Sequence, residues 1–211
     1  MSAVAHIKQY KTGRFYTDEF RGDISWNGYE HNVLLRNDGL DSRGTLQFTD
    51  VGMALGADDE KDGRGMAVGD FDNDGDLDIV INNNVGDSGD PARSRATLLF
   101  NNVGSRRKWL AIELHGTRSN RDAVGAVVTL EYAAGKQTRL VSAGSGYASQ
   151  QSARLYFGLG DKAQADSIVV RWPSGTIEKF ANIKANQLMR ITESTGVEIN
   201  QLPAKKPQGR V

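Results

Sequence analysis

The sequence predicts an all-β protein, and three observations carry that prediction. Short runs of alternating apolar and polar residues recur along the chain, as in half-buried strands. The chain holds 24 Gly against 4 Pro and 18 Asp against 8 Glu, a composition typical of tight turns between strands. No stretch of three turns has apolar residues at the spacing of an amphipathic helix.

The second half of the chain contains about seven predicted strands, punctuated by Gly, Asn and Ser. They are residues 110–114, 126–132, 138–143, 154–160, 167–172, 176–180 and 187–192. A β-sandwich or barrel of about 90 residues, assigned to residues 104–194, is the simplest way to pack them.

The first half has shorter predicted strands, separated by acidic, glycine-rich loops. They cover residues 32–37, 45–51, 65–71, 77–83 and 97–102. This pattern predicts a single propeller-like blade or small antiparallel sheet with a calcium loop over residues 31–103. Residues 1–30 have scattered aromatics and no period, and we interpret them as an N-terminal arm; residues 195–211 are predicted to be a flexible C-terminal tail.

Charge is sorted along the chain although the formal net charge is zero. Residues 1–103 hold 18 acidic and 10 basic residues, and the remainder holds 8 acidic and 16 basic residues. This asymmetry indicates two modules. The chain has no Cys, which excludes disulfide scaffolds, thiolate metal sites and thiol nucleophiles.

The motif with the most specific chemistry is DFDNDGDLD at residues 70–78. It places Asp70, Asp72 and Asp74 at loop positions 1, 3 and 5, ahead of Gly75. Alternating carboxylates followed by a sharp turn can wrap oxygen ligands around one hard cation, and Ca²⁺ is the expected occupant. Asp78 is the expected fourth side-chain ligand. Asp76 is expected to contribute its main-chain carbonyl and to point its side chain outward.

Two alternatives to this calcium loop were weighed. An EF-hand would need flanking helices and a Glu at position 12, but that position is Ile81 and both flanks are strand-like. A solvated acidic hairpin without an ion is disfavoured, because it would bring together several carboxylate pairs that each repel by about 1 kcal/mol in water at 4 Å. Magnesium suits this many protein oxygens less well than calcium does.

Two family resemblances follow from these residues. The segment GMAVGDFDNDGDLDIVINN, with the later strand TLLFNN, resembles an FG-GAP (VCBS) repeat, the calcium-loop blade of integrin-type β-propellers. GTRSNRDAVGAVVTLEY, SAGSGYASQQSARLYFGLG and DSIVVRWPSGTIEKF, in that order, resemble the ASPIC/UnbV domain. The resemblance implies a non-catalytic, calcium-binding protein, usually secreted or on the cell surface. It carries calcium ligation onto the same five residues: Asp70, Asp72, Asp74, Asp76 (by its main chain) and Asp78.

The leading functional prediction is therefore a calcium-binding protein-interaction or adhesion module. Its partner is a protein, or a second copy meeting an exposed blade edge, with a glycan as a further possible ligand. The alternatives are a permanent accessory subunit of a larger cell-envelope complex and a calcium-dependent glycan-active enzyme. The resemblance implies an extracellular, periplasmic or cell-surface location; the printed chain shows no signal peptide, which leaves the cytoplasm as the alternative. No apolar run is long enough for a membrane span.

Other motifs have a structural and a functional interpretation. The loop SAGSGYASQQ at residues 142–151 is a glycine-rich turn or a ligand-docking loop, with Ser145, Tyr147 and Gln150 as candidate contacts. Ser88 lies in a protease-like string, but no histidine has a catalytic context. The Arg-Gly-Asp tripeptide at residues 21–23 is common by chance. The basic residues 106–108 are expected to face the molecule itself or a protein partner; nucleic acid is not expected.

Overall fold

The computed structural model describes residues 31–59, 61, 63–83, 95–133 and 135–200. Within these ranges the chain is almost entirely β-structure, so the predicted all-β class is confirmed. The predicted arm (residues 1–30), Ser88 and the Arg-Gly-Asp tripeptide lie outside the described residues. The chain divides into two units, one of residues 1–65 and 81–99 and the other of residues 66–80 and 100–211.

The early strands of the chain are divided between the two units: residues 66–80, which include the acidic loop, belong to the second unit. The described elements begin with β1 (Leu35–Leu40), β2 (Leu46–Asp50), α1 (Gly52–Leu55), β3 (Gly63–Gly69), β4 (Asp78–Asn83) and β5 (Thr97–Leu99). Strands β1 and β2 form an antiparallel two-stranded sheet, and β3, β4 and β5 form a three-stranded sheet in that order. The five predicted strands are therefore present, but they divide into two small sheets.

A polar cluster fixes the first unit around β5. The Asp59 carboxylate accepts hydrogen bonds from the Lys61 ammonium at 2.7 Å and from the Thr97 hydroxyl at 2.9 Å. The Asn83 amide donates to the main-chain carbonyl of Arg95 at 2.7 Å and to the Thr97 hydroxyl at 2.9 Å. These bonds connect β4 and β5 to the segment that precedes β3.

The second unit contains eight further strands in the described residues. They are β6 (Lys108–His115), β7 (Val127–Tyr132), β8 (Gly135–Leu140), β9 (Leu155–Gly160), β10 (Gln164–Arg171), β11 (Ile177–Lys184), β12 (Gln187–Thr192) and β13 (Gly196–Asn200). One sheet has the order β11-β10-β7-β8 and the other β13-β12-β6-β9. Strand β13 lies inside the segment that the sequence analysis assigned to a flexible tail; residues 196–200 instead pair antiparallel with β12.

Alternate residues of these strands form one hydrophobic core. Leu110 and Ile112 of β6, Val128 and Leu130 of β7 and Phe157 of β9 are fully buried in it. Side chains alternate between the faces of a strand, so each of the two sheets presents one apolar face to this core. The result is the sandwich-like packing that the sequence predicts for this half.

Strands β6 and β12 pair in parallel, from Leu110 opposite Gln187 to His115 opposite Thr192. The other described pairs of these two sheets are antiparallel. The parallel pair places β12 between β6 and β13. It therefore holds the last strands of the unit against the first one.

A buried carboxylate stabilises the end of β12. Glu193 is 0% exposed, and its carboxylate accepts the main-chain N–H groups of Thr117, Arg118 and Ser119 at 3.0, 2.8 and 2.7 Å. The hydroxyl of Ser174 also donates to it. Burial raises the pKa of Glu193, but these hydrogen bonds outweigh it and lower the pKa to about 2. Glu193 therefore remains ionised and joins three separate segments of the unit.

No helix in the described part of the chain is long and apolar enough to cross a membrane.

Candidate metal centre

The acidic loop at residues 70–77 connects β3 to β4. Asn73 and Gly75 have φ values of 58° and 95°, in the left-handed region that allows the chain to turn sharply. A Cβ atom at Gly75 would lie 1.9 Å from the Trp109 indole, so only glycine fits there. Trp109, at the start of β6, therefore packs directly on the backbone of the loop.

The structure brings three of the five predicted ligands together. Asp70, Asp72 and Asp78 each offer a carboxylate oxygen, and these oxygens lie within 4.8 Å of one another. Asp70 and Asp72 are half-buried, whereas Asp78 is 0% exposed. The predicted spacing therefore produces a compact group of carboxylates on one side of the loop.

Main-chain N–H groups hold two of these carboxylates in place. Asp70 accepts the N–H groups of Asp74 and Gly75, each at 3.0 Å. Asp78 accepts the N–H groups of Phe71 and Asn101, each at 2.9 Å. The backbone of the loop thus positions these two carboxylates.

Asp74 and Asp76 occupy other positions. The Asp74 carboxylate accepts the N–H of Asp76 at 3.2 Å and shapes the turn. The prediction that the Asp76 side chain points outward is wrong: Asp76 is 6% exposed, and its Oδ2 accepts the N–H of Ser105 at 2.8 Å. Sequence reasoning missed this because Ser105 lies 29 residues further along the chain.

The electrostatics of the loop disfavour additional negative charge. Burial raises the pKa of Asp76 to about 6, with further contributions from the charges of Asp74 and Asp78, while the Ser105 N–H acts against the shift. Burial likewise raises the pKa of Asp70, against the hydrogen bonds from Gly75 and Asp74. The Oδ1 atom of Asp76 is buried and has no hydrogen-bond partner. The loop thus offers hard oxygen ligands at a site where a bound cation would reduce the repulsion among the carboxylates.

A tyrosine from the later part of the chain also contacts the loop. The Tyr156 hydroxyl donates to Asp70 at 3.3 Å and accepts a hydrogen bond from the Arg154 guanidinium at 3.2 Å. Side chains alternate between the two faces of β9, and the buried Leu155 and Phe157 lie on the core face. The sequence therefore indicates that the Tyr156 side chain lies on the other face, away from the core. Nothing in the sequence identifies Asp70 as its partner.

The predicted docking loop has one residue in a cavity and two at the surface. Ser145 lines a cavity of about 240 Å³, while Tyr147 is 74% exposed and Gln150 is exposed. The neighbouring Gln151, which sequence reasoning did not select, also lines this cavity.

Two other sequence interpretations concern this unit. The sequence favours a core position for Trp172 over a ligand contact, and Trp172 is 3% exposed and belongs to the core; its indole N–H donates to Glu178 at 2.5 Å. In the basic segment, Arg107 forms an ion pair with Asp161 at 2.6 Å. An exposed pair of this kind contributes little stability.

Comparison with known proteins identifies relatives of this chain. Residues 116–198 match the sequence model of the family described as ASPIC and UnbV. The chain is 35% identical over 121 residues to cartilage acidic protein 1 of Xenopus tropicalis, covering 56% of this chain and 18% of that protein. It is 31% identical over 150 residues to human cartilage acidic protein 1, covering 69% and 22%, and 31% identical over 137 residues to the mouse protein, covering 63% and 20%.

The chain spans about a fifth of the length of these curated relatives. The resemblance of residues 65–102 to an FG-GAP repeat stays a prediction. The chain carries an ASPIC/UnbV domain and is homologous to cartilage acidic protein 1.

Proposed function

We propose that this chain is a non-catalytic, calcium-binding interaction module of an extracellular protein. The observation that carries the proposal is the group of carboxylate oxygens of Asp70, Asp72 and Asp78, which lie within 4.8 Å of one another. The ASPIC/UnbV domain and the similarity to cartilage acidic proteins support the extracellular and non-enzymatic parts of the proposal.

The donor set suits calcium. Ca²⁺ binds six to eight oxygen ligands with flexible geometry, whereas Mg²⁺ keeps several of its waters. Asp70, Asp72 and Asp78 would hold the ion by their side chains. The Asp74 carboxylate and the main-chain carbonyl of Asp76, which the sequence predicts as further ligands, stay part of the proposal. The bound ion would supply positive charge that offsets the repulsion among the carboxylates.

A structural role for the ion follows from what the loop contacts. The loop packs on Trp109 and is hydrogen-bonded to Asn101, Ser105 and Tyr156, all in the second unit. An ion that fixes the carboxylates therefore fixes the surroundings of β6 and β9. The same carboxylates are committed to backbone N–H groups and to the ion, which disfavours the glycan-active enzyme, since acid–base chemistry needs a free pair.

Exposed apolar side chains in the first unit support an interaction role. Six of them on β1, β2 and α1 are between 49% and 86% exposed. They are Leu35, Leu40, Leu46, Phe48, Met53 and Leu55. Large apolar side chains that are exposed in one part of a protein are typical of protein interfaces when they form a patch.

This apolar surface also favours the second candidate function, a permanent accessory subunit, because obligate interfaces are more apolar than transient ones. Purification from the native source separates the two candidates. A partner that stays at constant stoichiometry through purification indicates a subunit, whereas a partner that exchanges indicates an interaction module.

Calorimetric titration tests calcium binding directly. We expect the chelator-treated protein to bind Ca²⁺ with a dissociation constant of roughly 10⁻⁴ to 10⁻³ M, the range of extracellular calcium modules. Asp72→Ala should abolish the binding heat, and Mg²⁺ should bind more weakly. Asp166→Ala, at an exposed carboxylate on β10, is the matched control and should bind as the unmodified protein does. Absence of binding at millimolar Ca²⁺ would refute the proposal.

A further inference from the structure

The second unit contains a cavity of about 240 Å³ next to the predicted docking loop. Arg139 and Arg154 line it, together with the polar side chains of Ser145 and Gln151. Leu140 and Leu155 contribute an aliphatic wall. Among the described residues that line the cavity there is no Asp or Glu.

Neither arginine is paired with a carboxylate in the part of the chain that the structure describes. Arg154 donates to the Tyr156 hydroxyl at 3.2 Å. Arg139 donates to its neighbour's carbonyl, that of Thr138, at 3.3 Å, and its guanidinium lies 5.7 Å from the centre of the Phe157 ring. Such contacts orient a guanidinium but leave its charge uncompensated.

One donor at the cavity is buried without an acceptor. The Nε atom of Arg154 is buried and has no hydrogen-bond partner. A buried donor left in this state is costly, and a small rotation of the Arg154 side chain towards the cavity would let a ligand oxygen satisfy it. The planar guanidinium, held by Tyr156 on one side, has the fork of N–H donors that matches a carboxylate or sulfate.

The size and lining of the cavity define the rest of the ligand. A dry cavity of about 150 Å³ accepts benzene, so the present cavity has room for a ring that carries a charged group. The aliphatic wall suits an apolar body, and the Ser145 hydroxyl and the Gln151 amide offer polar contacts.

We propose that this cavity binds a small organic anion, a ring-sized apolar body with one carboxylate or sulfate directed at Arg154 and Arg139. The Asp70 carboxylate accepts the Tyr156 hydroxyl at the edge of the cavity, and its negative charge repels an anion there. A cation bound at the acidic loop would offset this repulsion. The titrations are therefore made in chelator, the condition in which the affinity for the anion is lowest. The proposal needs no bound ion, and failure of calcium binding would leave it intact.

Benzoate and its neutral isostere benzamide are the probes. In amide-proton NMR titrations we expect saturable shifts with benzoate at residues around Ser145 and Gln151, and binding of benzamide at least about tenfold weaker. Equal responses to the two compounds, or no shift with benzoate at tens of millimolar, would overturn the proposal.

Arginine variants locate the site of binding. Arg154→Gln should raise the dissociation constant of benzoate about tenfold, because it removes the charge and one arm of the fork. Arg171→Gln, at an exposed arginine of β10 that does not line the cavity, is the matched control and should leave the constant unchanged. If the two variants behave alike, with spectra that show both are folded, the cavity is not the site. Arg139→Gln, with a smaller expected loss, gives an independent check at the second cation.

Discussion

Replacing Asp72 with asparagine should stabilise the protein in the absence of calcium, and calcium should reduce that advantage. The carboxylate oxygens of Asp70, Asp72 and Asp78 lie within 4.8 Å of one another, so the variant removes two of three repulsive pairs. At that distance each pair repels by about 0.9 kcal/mol in bulk water and by about 3.5 kcal/mol at an effective dielectric constant near 20. Both carboxylate oxygens of Asp72 are buried, so the water value is a lower limit, and we expect Asp72→Asn to be at least about 2 kcal/mol more stable than the unmodified protein in chelator.

Calcium should reduce that difference. At a calcium concentration ten times the dissociation constant, the ion stabilises the unmodified protein by about 1.4 kcal/mol. The Asp72→Asn variant lacks one ligand and should gain much less. The unmodified protein should therefore approach the variant in stability as calcium is raised.

Urea unfolding followed by circular dichroism measures both effects. The proteins to compare are the unmodified chain, Asp72→Asn and the control Asp166→Asn, each in chelator and in millimolar calcium. The control should follow the unmodified chain in both conditions. Identical midpoints with and without calcium, or an Asp72→Asn variant that is less stable by the same amount in both, would refute the electrostatic account of the loop.

Three further predictions concern the second unit. Gly75→Ala should lower the free energy of unfolding by about 1–3 kcal/mol in the same urea assay, because the added Cβ would overlap Trp109 and the residue has a φ of 95°. The control Gly158→Ala should have little effect, because its added Cβ meets nothing within 4 Å. Phe157→Ala should cost about 3–5 kcal/mol, since Phe157 is 0% exposed in the core; a loss below about 1 kcal/mol would show that the core is not packed as described. Stability, measured by thermal unfolding, should fall as the pH drops from 4.5 towards 2, because Glu193 has a pKa of about 2 in the folded protein and binds a proton more readily in the unfolded chain. Glu193→Gln should make stability less dependent on pH in this range.

The strands could be predicted from sequence because their signal is local. In β7 and β9 apolar residues alternate with exposed ones, and one face of each strand is buried in the core. A period of two is visible in a short window of sequence without knowledge of any partner strand.

Strand pairing could not be predicted in the same way. The parallel contact of β6 with β12 joins residues more than 70 positions apart, and no local pattern distinguishes it from an antiparallel one. Strand β13 was assigned to a tail because the Pro- and Lys-bearing segment after it resembles one. Its alternating Val197 and Ile199 were the overlooked signal.

Part of the candidate site could be predicted because its signal, like that of the strands, is local. Asp70 and Asp72 lie two residues apart in one loop, so their convergence with Asp78 follows from the motif. The position of the Asp76 side chain depends on the distant Ser105 N–H, and the role of Tyr156 depends on how β9 approaches the loop. Such contacts arise from tertiary packing, which the spacing of acidic residues does not encode.

The close approach of Trp109 to Gly75 gives the protein an intrinsic optical probe. The indole of Trp109 lies against the backbone of the acidic loop, while Trp172 is enclosed in the core away from it. Tryptophan emission responds to the polarity and rigidity of its surroundings, so a change in loop order alters the fluorescence of Trp109. A variant that carries both Trp26→Phe and Trp172→Phe would leave Trp109 as the single tryptophan and allow occupancy of the loop to be followed in real time, without a label.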